Sequence, residues 1–384
     1  MDHTAEKNPL QAVARAGPVR RTVTGVALAV FACAALAGCG KATKPEPVKY
    51  NIYLGAFGSR EGTSATRFDQ FFVYDADSLT VRDSIPLPAM AVELEVSPDG
   101  RWLYAQCMNR GPTPYKLYKI DALTKEVVWS IPGYGLITLL DGGRLLTRER
   151  FDTEVIDLAT GDVITRLPST IRILKGPPNG TKVAAIVPAD TTDFFWDTLV
   201  TVFDVKSGET YGHYVPRLST GEALEMIYTA RLHQDGKRVM VIGLYGYIKY
   251  CWFMVGDVET GETLLRHRLY SPFGEIAISE DGALAVASDP SQPLFGESRQ
   301  AVEFFDLISM KHLKTLDGYS GLLAWYPRQV RFLFGDSKIV IGSYAEFTTG
   351  PFCIVDRTTL TVENTVQQPY DGLINGVLGV GPRP

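Results

Sequence analysis

The chain has 384 residues, of which 45% are hydrophobic and 21% charged, with a formal net charge of −5. An acidic balance argues against nucleic acid as a partner, because such proteins carry a basic footprint. Beyond the N-terminal stretch the only thiols are Cys107, Cys251 and Cys353. An odd count at scattered spacing is neither a disulfide framework nor a zinc pattern, so all three read as small buried hydrophobes.

Residues 1–38 read as an export signal. Arg15, Arg20 and Arg21 precede an apolar run from Val23 to Leu36, too short for a fold element or a stable membrane span. The run ends in Leu36-Ala37-Gly38-Cys39, which resembles the lipobox of bacterial lipoproteins. That resemblance implies removal of residues 1–38 and a covalent lipid on Cys39, with no other cofactor expected. Residues 39–48, with Lys41, Lys44, Pro45 and Pro47, then form a polar tether that holds a domain off the bilayer. The expected location is extracytoplasmic and membrane-anchored, at the outer membrane or the periplasmic face. Loss of the signal leaves the mature chain at −7.

From residue 49 to residue 384 the sequence reads as one repeating domain. A run of strand-forming residues ending in Asp recurs seven times, at Asp75, Asp121, Asp157, Asp204, Asp257, Asp306 and Asp356. The intervals are 46, 36, 47, 53, 49 and 50 residues, a period typical of radially repeated four-stranded sheets. Between these motifs lies a second one, clearest at Ser97-Pro98-Asp99-Gly100 and weaker at Asp235-Gly236 and Asp281-Gly282. Asp-Gly between apolar runs marks a tight hairpin, because Gly supplies the positive φ of the turn. In the first complete unit the four strands are predicted at 92–97, 102–107, 116–121 and 126–131.

Ser-Pro-Asp-Gly, an aliphatic strand, then Val-x-Asp-x-x-Thr-Gly resembles the YVTN-type β-propeller repeat of bacterial exported proteins. The resemblance spans about Tyr50 to Val380 and implies an all-β, seven-bladed propeller with four antiparallel strands per blade. The ends fit a ring. Asn51–Phe57 matches a second strand with no first strand before it, and Leu373–Val380 matches a first strand with nothing after it. Together they complete the seventh blade and hide its edges.

A meander places both kinds of Asp turn on one side of the ring and the longer loops on the other, where binding usually resides. Those loops are aromatic. Tyr134, Tyr270, Trp325 and Tyr326 fall in blade connectors at the mouth of the axial tunnel, and Phe194 and Trp196 in an outer loop. They are candidates for a partner surface, since aromatics with polar tips dominate contact energetics. The innermost strands carry charge: Glu95, Lys175 and Arg231 align in one column, Glu93 and Glu275 lie two residues earlier, and Arg331 falls nearby. Charge is costly between stacked sheets, so these groups are expected to face the solvated tunnel, pairing with one another or binding a small polar ligand.

Catalytic patterns are poor. Beyond the signal the histidines are His213, His233, His267 and His312, three of them predicted on outer strands and one beside a hairpin turn, and no metal cluster is expected. The reading is a membrane-tethered binding or scaffold propeller, with an envelope protein or a small polar molecule as partner. The alternative is an enzyme. Asn51–Phe57 followed by Phe71–Asp75 resembles the opening strands of lactonase-type propellers, which implies ester hydrolysis in the tunnel. Asp121 to Trp129 resembles one copy of a quinoprotein Trp-docking repeat, a weaker match to a dehydrogenase.

Overall fold

A computed structural model describes residues 48–57, 69–108, 115–132, 137–140, 143–149, 152–167, 172–173, 176, 180–187, 199–246, 250–270, 274–290, 300–317, 327–333, 335–343, 352–366 and 373–384. The expected export signal, Cys39 and most of the expected tether fall in residues 1–47, outside the described residues.

Twenty-eight strands form seven sheets of four antiparallel strands, and no helix occurs among the described residues. Blade 1 joins the two ends of the domain, in the order β28 (Leu373–Pro382), β1 (Tyr50–Phe57), β2 (Gln70–Asp75) and β3 (Val81–Pro86). Blade 2 is a simple meander: β4 (Met90–Val96), β5 (Trp102–Met108), β6 (Tyr115–Asp121) and β7 (Val127–Pro132). Blades 3 to 7 repeat it. Their innermost strands are β8 (Thr138–Leu140), β12 (Arg172–Ile173), β16 (Met226–Leu232), β20 (Ile276–Ile278) and β24 (Pro327–Leu333). β28 packs between β4 and β24, and β20 between β16 and β24, so the innermost strands surround an axis.

Closure follows the expected route. β28 pairs with β1 from Tyr50↔Pro382 to Phe57↔Leu373, and the Arg383 guanidinium grips the Asp75 carboxylate just beyond the last pair. An amide N–H of the C-terminal segment, from Arg383, donates to the carbonyl of Lys49 at 2.7 Å. Without this strand the ring would expose a sheet edge beside the axis.

The recurrent Asp has a mechanical reason. In every blade its Oδ1 accepts the backbone N–H groups two and three residues on, as for Asp257 with Glu259 at 2.8 Å and Thr260 at 2.9 Å. These turns satisfy donors that would otherwise be lost at the strand end. The next residue along then donates to the chain entering the second strand, as Val258 does to the Lys237 carbonyl at 2.9 Å. Both kinds of turn therefore share one side of the ring. Four residues after the Asp the backbone is left-handed in all seven copies, at Leu79, Lys125, Gly161, Gly208, Gly261, Met310 and Leu360.

The core is a ring of seven apolar clusters, each shared by two neighbouring blades. Middle strands are apolar on both faces because both faces are covered, as in β5, where Leu103, Tyr104, Ala105, Gln106 and Cys107 are all buried. The outermost strands are mostly exposed, as β7 shows. All three cysteines are buried, and burial pushes the Cys353 thiol up to about 12.

Candidate axial binding site

The innermost strands end, on the short-turn side, around a cavity of about 410 Å³. Each blade contributes to its wall: Gly379, Glu95, Thr138, Gly176, Arg231, Ile278 and Arg331 from blades 1 to 7. Gln234, Ser279, Glu280 and Asp336 add polar groups from the Asp-Gly turns. The described lining thus holds three carboxylates and two guanidiniums but no imidazole.

Strand register explains how the charges reach the axis. Glu95 pairs with Tyr104, Arg231 with Met240 and Arg331 with Val340, which is the same level in three blades. A bulge precedes that level each time, at Ala91/Glu93, Ile227/Thr229 and Pro327/Gln329. One extra residue re-aims the side chains that follow, and Glu95, Arg231 and Arg331 beyond it line the cavity. Arg331 Nη1 donates to Glu275 Oε1 at 2.7 Å and to the Val330 carbonyl at 2.9 Å. Arg231 Nη1 donates to the Ile276 carbonyl of the next blade at 3.0 Å.

Burial lowers the affinity of the Arg231 guanidinium for its proton, with Glu275 and Glu95 opposing that effect. At Arg331 burial acts the same way, but the carboxylates of Glu275, Glu95 and Glu93 more than offset it and raise the group above its ordinary value. Both stay charged. Arg231 Nε, Arg331 Nη2 and the Thr138 hydroxyl are buried and have no hydrogen-bond partner among the described residues. Buried donors of this kind normally have partners, so the wall retains hydrogen-bonding capacity.

Two residues before that level the side chains do something else. Glu93 Oε2 accepts the Ile137 N–H of blade 3 at 3.0 Å, Gln329 Oε1 accepts the Leu378 N–H of blade 1 at 2.5 Å, and Glu275 Oε2 accepts the Val330 N–H of blade 7 at 3.4 Å. An innermost strand presents an unpaired edge to the axis, and its N–H groups need acceptors. The neighbouring blade supplies them through one side chain. Glu93 and Gln329, 5% and 7% exposed, are therefore stitches between blades, and Glu275 is stitch and ion-pair partner at once.

The candidates from the sequence thus divide. Glu95, Arg231 and Arg331 line the cavity, Glu275 holds Arg331, and Glu93 turns to the backbone of the next blade. Lys175 lies outside the described residues, as do Tyr134, Phe194, Trp196, Trp325 and Tyr326. Tyr270 is described and half-buried at the end of β19 (Thr263–Leu269).

The histidines occupy the predicted strands, but the tertiary arrangement adds what spacing could not show. His213 pairs with Thr201 at 2.9 Å, and His233 is buried against the Gly282 carbonyl at 2.9 Å. His267 on β19 and His312 on β23 (Lys311–Asp317) come from neighbouring blades and stack, with ring centroids 4.2 Å apart. Both reach Glu303 on β22 (Gln300–Asp306).

No family model matches this sequence, and no curated protein matches it. Solved structures do. Apo AztD from Citrobacter koseri is 10% identical with a TM-score of 0.56, over 87% of this chain and 98% of that one. The β-propeller domain of Cps50 (Swd1) from Myceliophteria thermophila is 13% identical with a TM-score of 0.56, over 76% and 90%. Dihydro-heme d1 dehydrogenase NirN, in complex with DHE, is 12% identical with a TM-score of 0.52, over 86% and 75%. At these identities the likeness is one of fold, and propellers host unrelated activities.

Proposed function

We propose that this chain is a membrane-tethered, extracytoplasmic binding propeller, lipidated at Cys39, whose axial cavity takes a small polar molecule bearing a carboxylate. The observation that carries the reading is a wall built from all seven blades in which Arg231 and Arg331 each keep a buried N–H without an acceptor among the described residues. A guanidinium pairs with a carboxylate through two parallel hydrogen bonds, and a partly desolvated channel strengthens that attraction. Glu95 at the same level supplies an acceptor for an amine or hydroxyl on the same molecule. The anchor rests on Leu36-Ala37-Gly38-Cys39, and the aromatic loops remain the candidate surface for an envelope protein.

Thermal unfolding in the presence of lactones, sugar acids and amino acids tests the site. A ligand should raise the melting temperature of the parent, and Arg231→Met should abolish that shift while remaining folded. Glu95→Gln, run in parallel, should weaken the shift only for ligands that carry an amine or hydroxyl donor. If no compound raises the melting temperature, or if hits act equally on the parent and both variants, the cavity is not the site. The loop face and a protein partner would then replace it. For the anchor, Cys39→Ser should move the protein from the membrane to the soluble fraction; retention in the membrane would refute lipidation.

A further inference from the structure

Far from the axis, at the outer edge where blades 5 and 6 meet, one carboxylate is buried with no guanidinium or ammonium partner among the described residues. Glu303 is 1% exposed. Its Oε2 accepts the Thr315 hydroxyl at 2.6 Å, lies 2.8 Å from His312 Nε2, and lies 3.9 Å from His267 Nε2. One ligand atom from each of Glu303, His267 and His312 lies within 4.8 Å of the other two. From these three residues we propose a site for a divalent transition-metal ion, best suited to zinc, that clamps blade 5 to blade 6.

The donor set fits such an ion. Zinc is held by imidazole nitrogens and carboxylate oxygens at about 2.0–2.2 Å, which puts tetrahedral ligand atoms about 3.3 Å apart. To reach that value the His312 contact opens from 2.8 Å and the His267 contact closes from 3.9 Å, an adjustment asked of two imidazoles whose side chains are 29% and 26% exposed. Three protein ligands leave one position for water or an exogenous group. Imidazole also suits copper and nickel, and the order of affinities among them follows the metal more than the site.

Charge points the same way. A buried carboxylate is costly unless a cation neutralises it. A divalent ion neutralises Glu303 and accepts the lone pairs of both neutral rings together. The surroundings are built for it. Phe305 packs edge-on to His267 at 5.2 Å and is itself stacked on Phe253 at 4.1 Å, which walls off the core side. Solvent reaches the imidazoles from the rim, so the ion has a path. Thr315, whose hydroxyl orients the carboxylate, plays the supporting part that outer groups play around metal ligands.

The test uses the exported chain stripped with a chelator and dialysed, then titrated with zinc alone by calorimetry and by thermal unfolding at pH 7.5. One equivalent should bind and raise the melting temperature. His267→Ala and His312→Ala should each remove that equivalent, Thr315→Val should weaken it by about 10- to 100-fold, and His213→Ala should leave it intact. Cobalt in place of zinc should give the visible absorption of a four-coordinate site, lost in His312→Ala. Because His267 and His312 are partly exposed, these variants keep the fold if Glu303→Gln does not. Absence of zinc-dependent stabilisation, or binding unchanged in both histidine variants, overturns the proposal. A melting temperature that falls as pH rises through the histidine range, with zinc inert, would identify an imidazolium–carboxylate clamp instead and equally overturn it.

Discussion

The axis and the rim of this propeller bury charge in opposite ways. At the axis, guanidiniums and carboxylates from different blades neutralise one another beside a cavity, and the groups two residues away hold backbone edges. Arg331 and Glu275 are each 15% exposed, so water still reaches them. At the rim Glu303 is 1% exposed, inside aromatic packing, with two imidazoles as its titratable partners among the described residues. The described axial charges come from blades 2, 5, 6 and 7 and link blade to blade; the rim cluster belongs to one interface. The lesson is that burial alone does not mark a function. What a buried charge is paired with separates a stitch from a site.

Removing 373–384 should have the largest effect, because it strips the innermost strand from blade 1 and opens the ring at the axis. Most of a net stability of about 5–15 kcal/mol should go with it. A monomer that still melts at the parental temperature would show that closure lies elsewhere. Next is Arg331→Ala, which removes the guanidinium hydrogen-bonded to the Glu275 carboxylate at the axis. The expected loss is about 3 kcal/mol, measured by denaturant unfolding, and Glu275→Gln in the same background should recover part of it.

Glu93 separates the two kinds of axial residue. Glu93→Leu leaves the Ile137 N–H buried without an acceptor and should cost about 1–3 kcal/mol, whereas Glu93→Gln keeps an acceptor and should cost less. Neither should alter the response to a cavity ligand. If Glu93→Gln removes that response, Glu93 belongs to the site and not to the stitch.

Acid provides a milder probe on the short-turn face. Burial opposes ionisation of Asp281, but the Ala283 N–H, the Ser279 hydroxyl and the Arg357 guanidinium outweigh it and hold the group at about 2, below the usual 3.8. A depressed carboxylate stabilises the fold above its unfolded value and loses that contribution as pH falls through the folded value. Stability should therefore decline between about pH 4 and pH 2, and Asp281→Asn should flatten that decline. A slope unchanged in the variant would remove Asp281 from the account.

The smallest effect is expected at the rim turn of blade 2. Lys125 has φ 64°, where three other blades carry Gly. Left-handed backbone costs a side-chain-bearing residue roughly 1–2 kcal/mol, and the ion pair to Asp83 that would be lost is exposed and worth well under about 1 kcal/mol. Lys125→Gly should gain about 0.5 kcal/mol. Leu360 has the same backbone but is buried in the cluster between blades 6 and 7, so Leu360→Gly should destabilise instead.

Local chemistry made the ring legible from sequence. Asp at a strand end and Gly four residues on or in the hairpin are dictated by turn geometry within a few residues, so they recur wherever the turn recurs. Counting them counted the blades. The unpaired half-blades at the two ends, Asn51–Phe57 and Leu373–Val380, foretold the closing sheet for the same reason. The level shared by Glu95 and Arg231 was also readable, because both are counted back from an Asp-Gly turn. The tertiary structure decided everything that depends on which blade faces which. Glu93 and Glu95 lie on one strand, yet one meets the backbone of blade 3 and the other the cavity, because the edge of the neighbouring blade lies within reach of the first. His267 and His312 are 45 residues apart on strands that never pair, and only the packing of one sheet face on the next brings them to Glu303. Turn chemistry is a short-range property written residue by residue, whereas the partner of a side chain between two sheets is set by the packing of the whole ring.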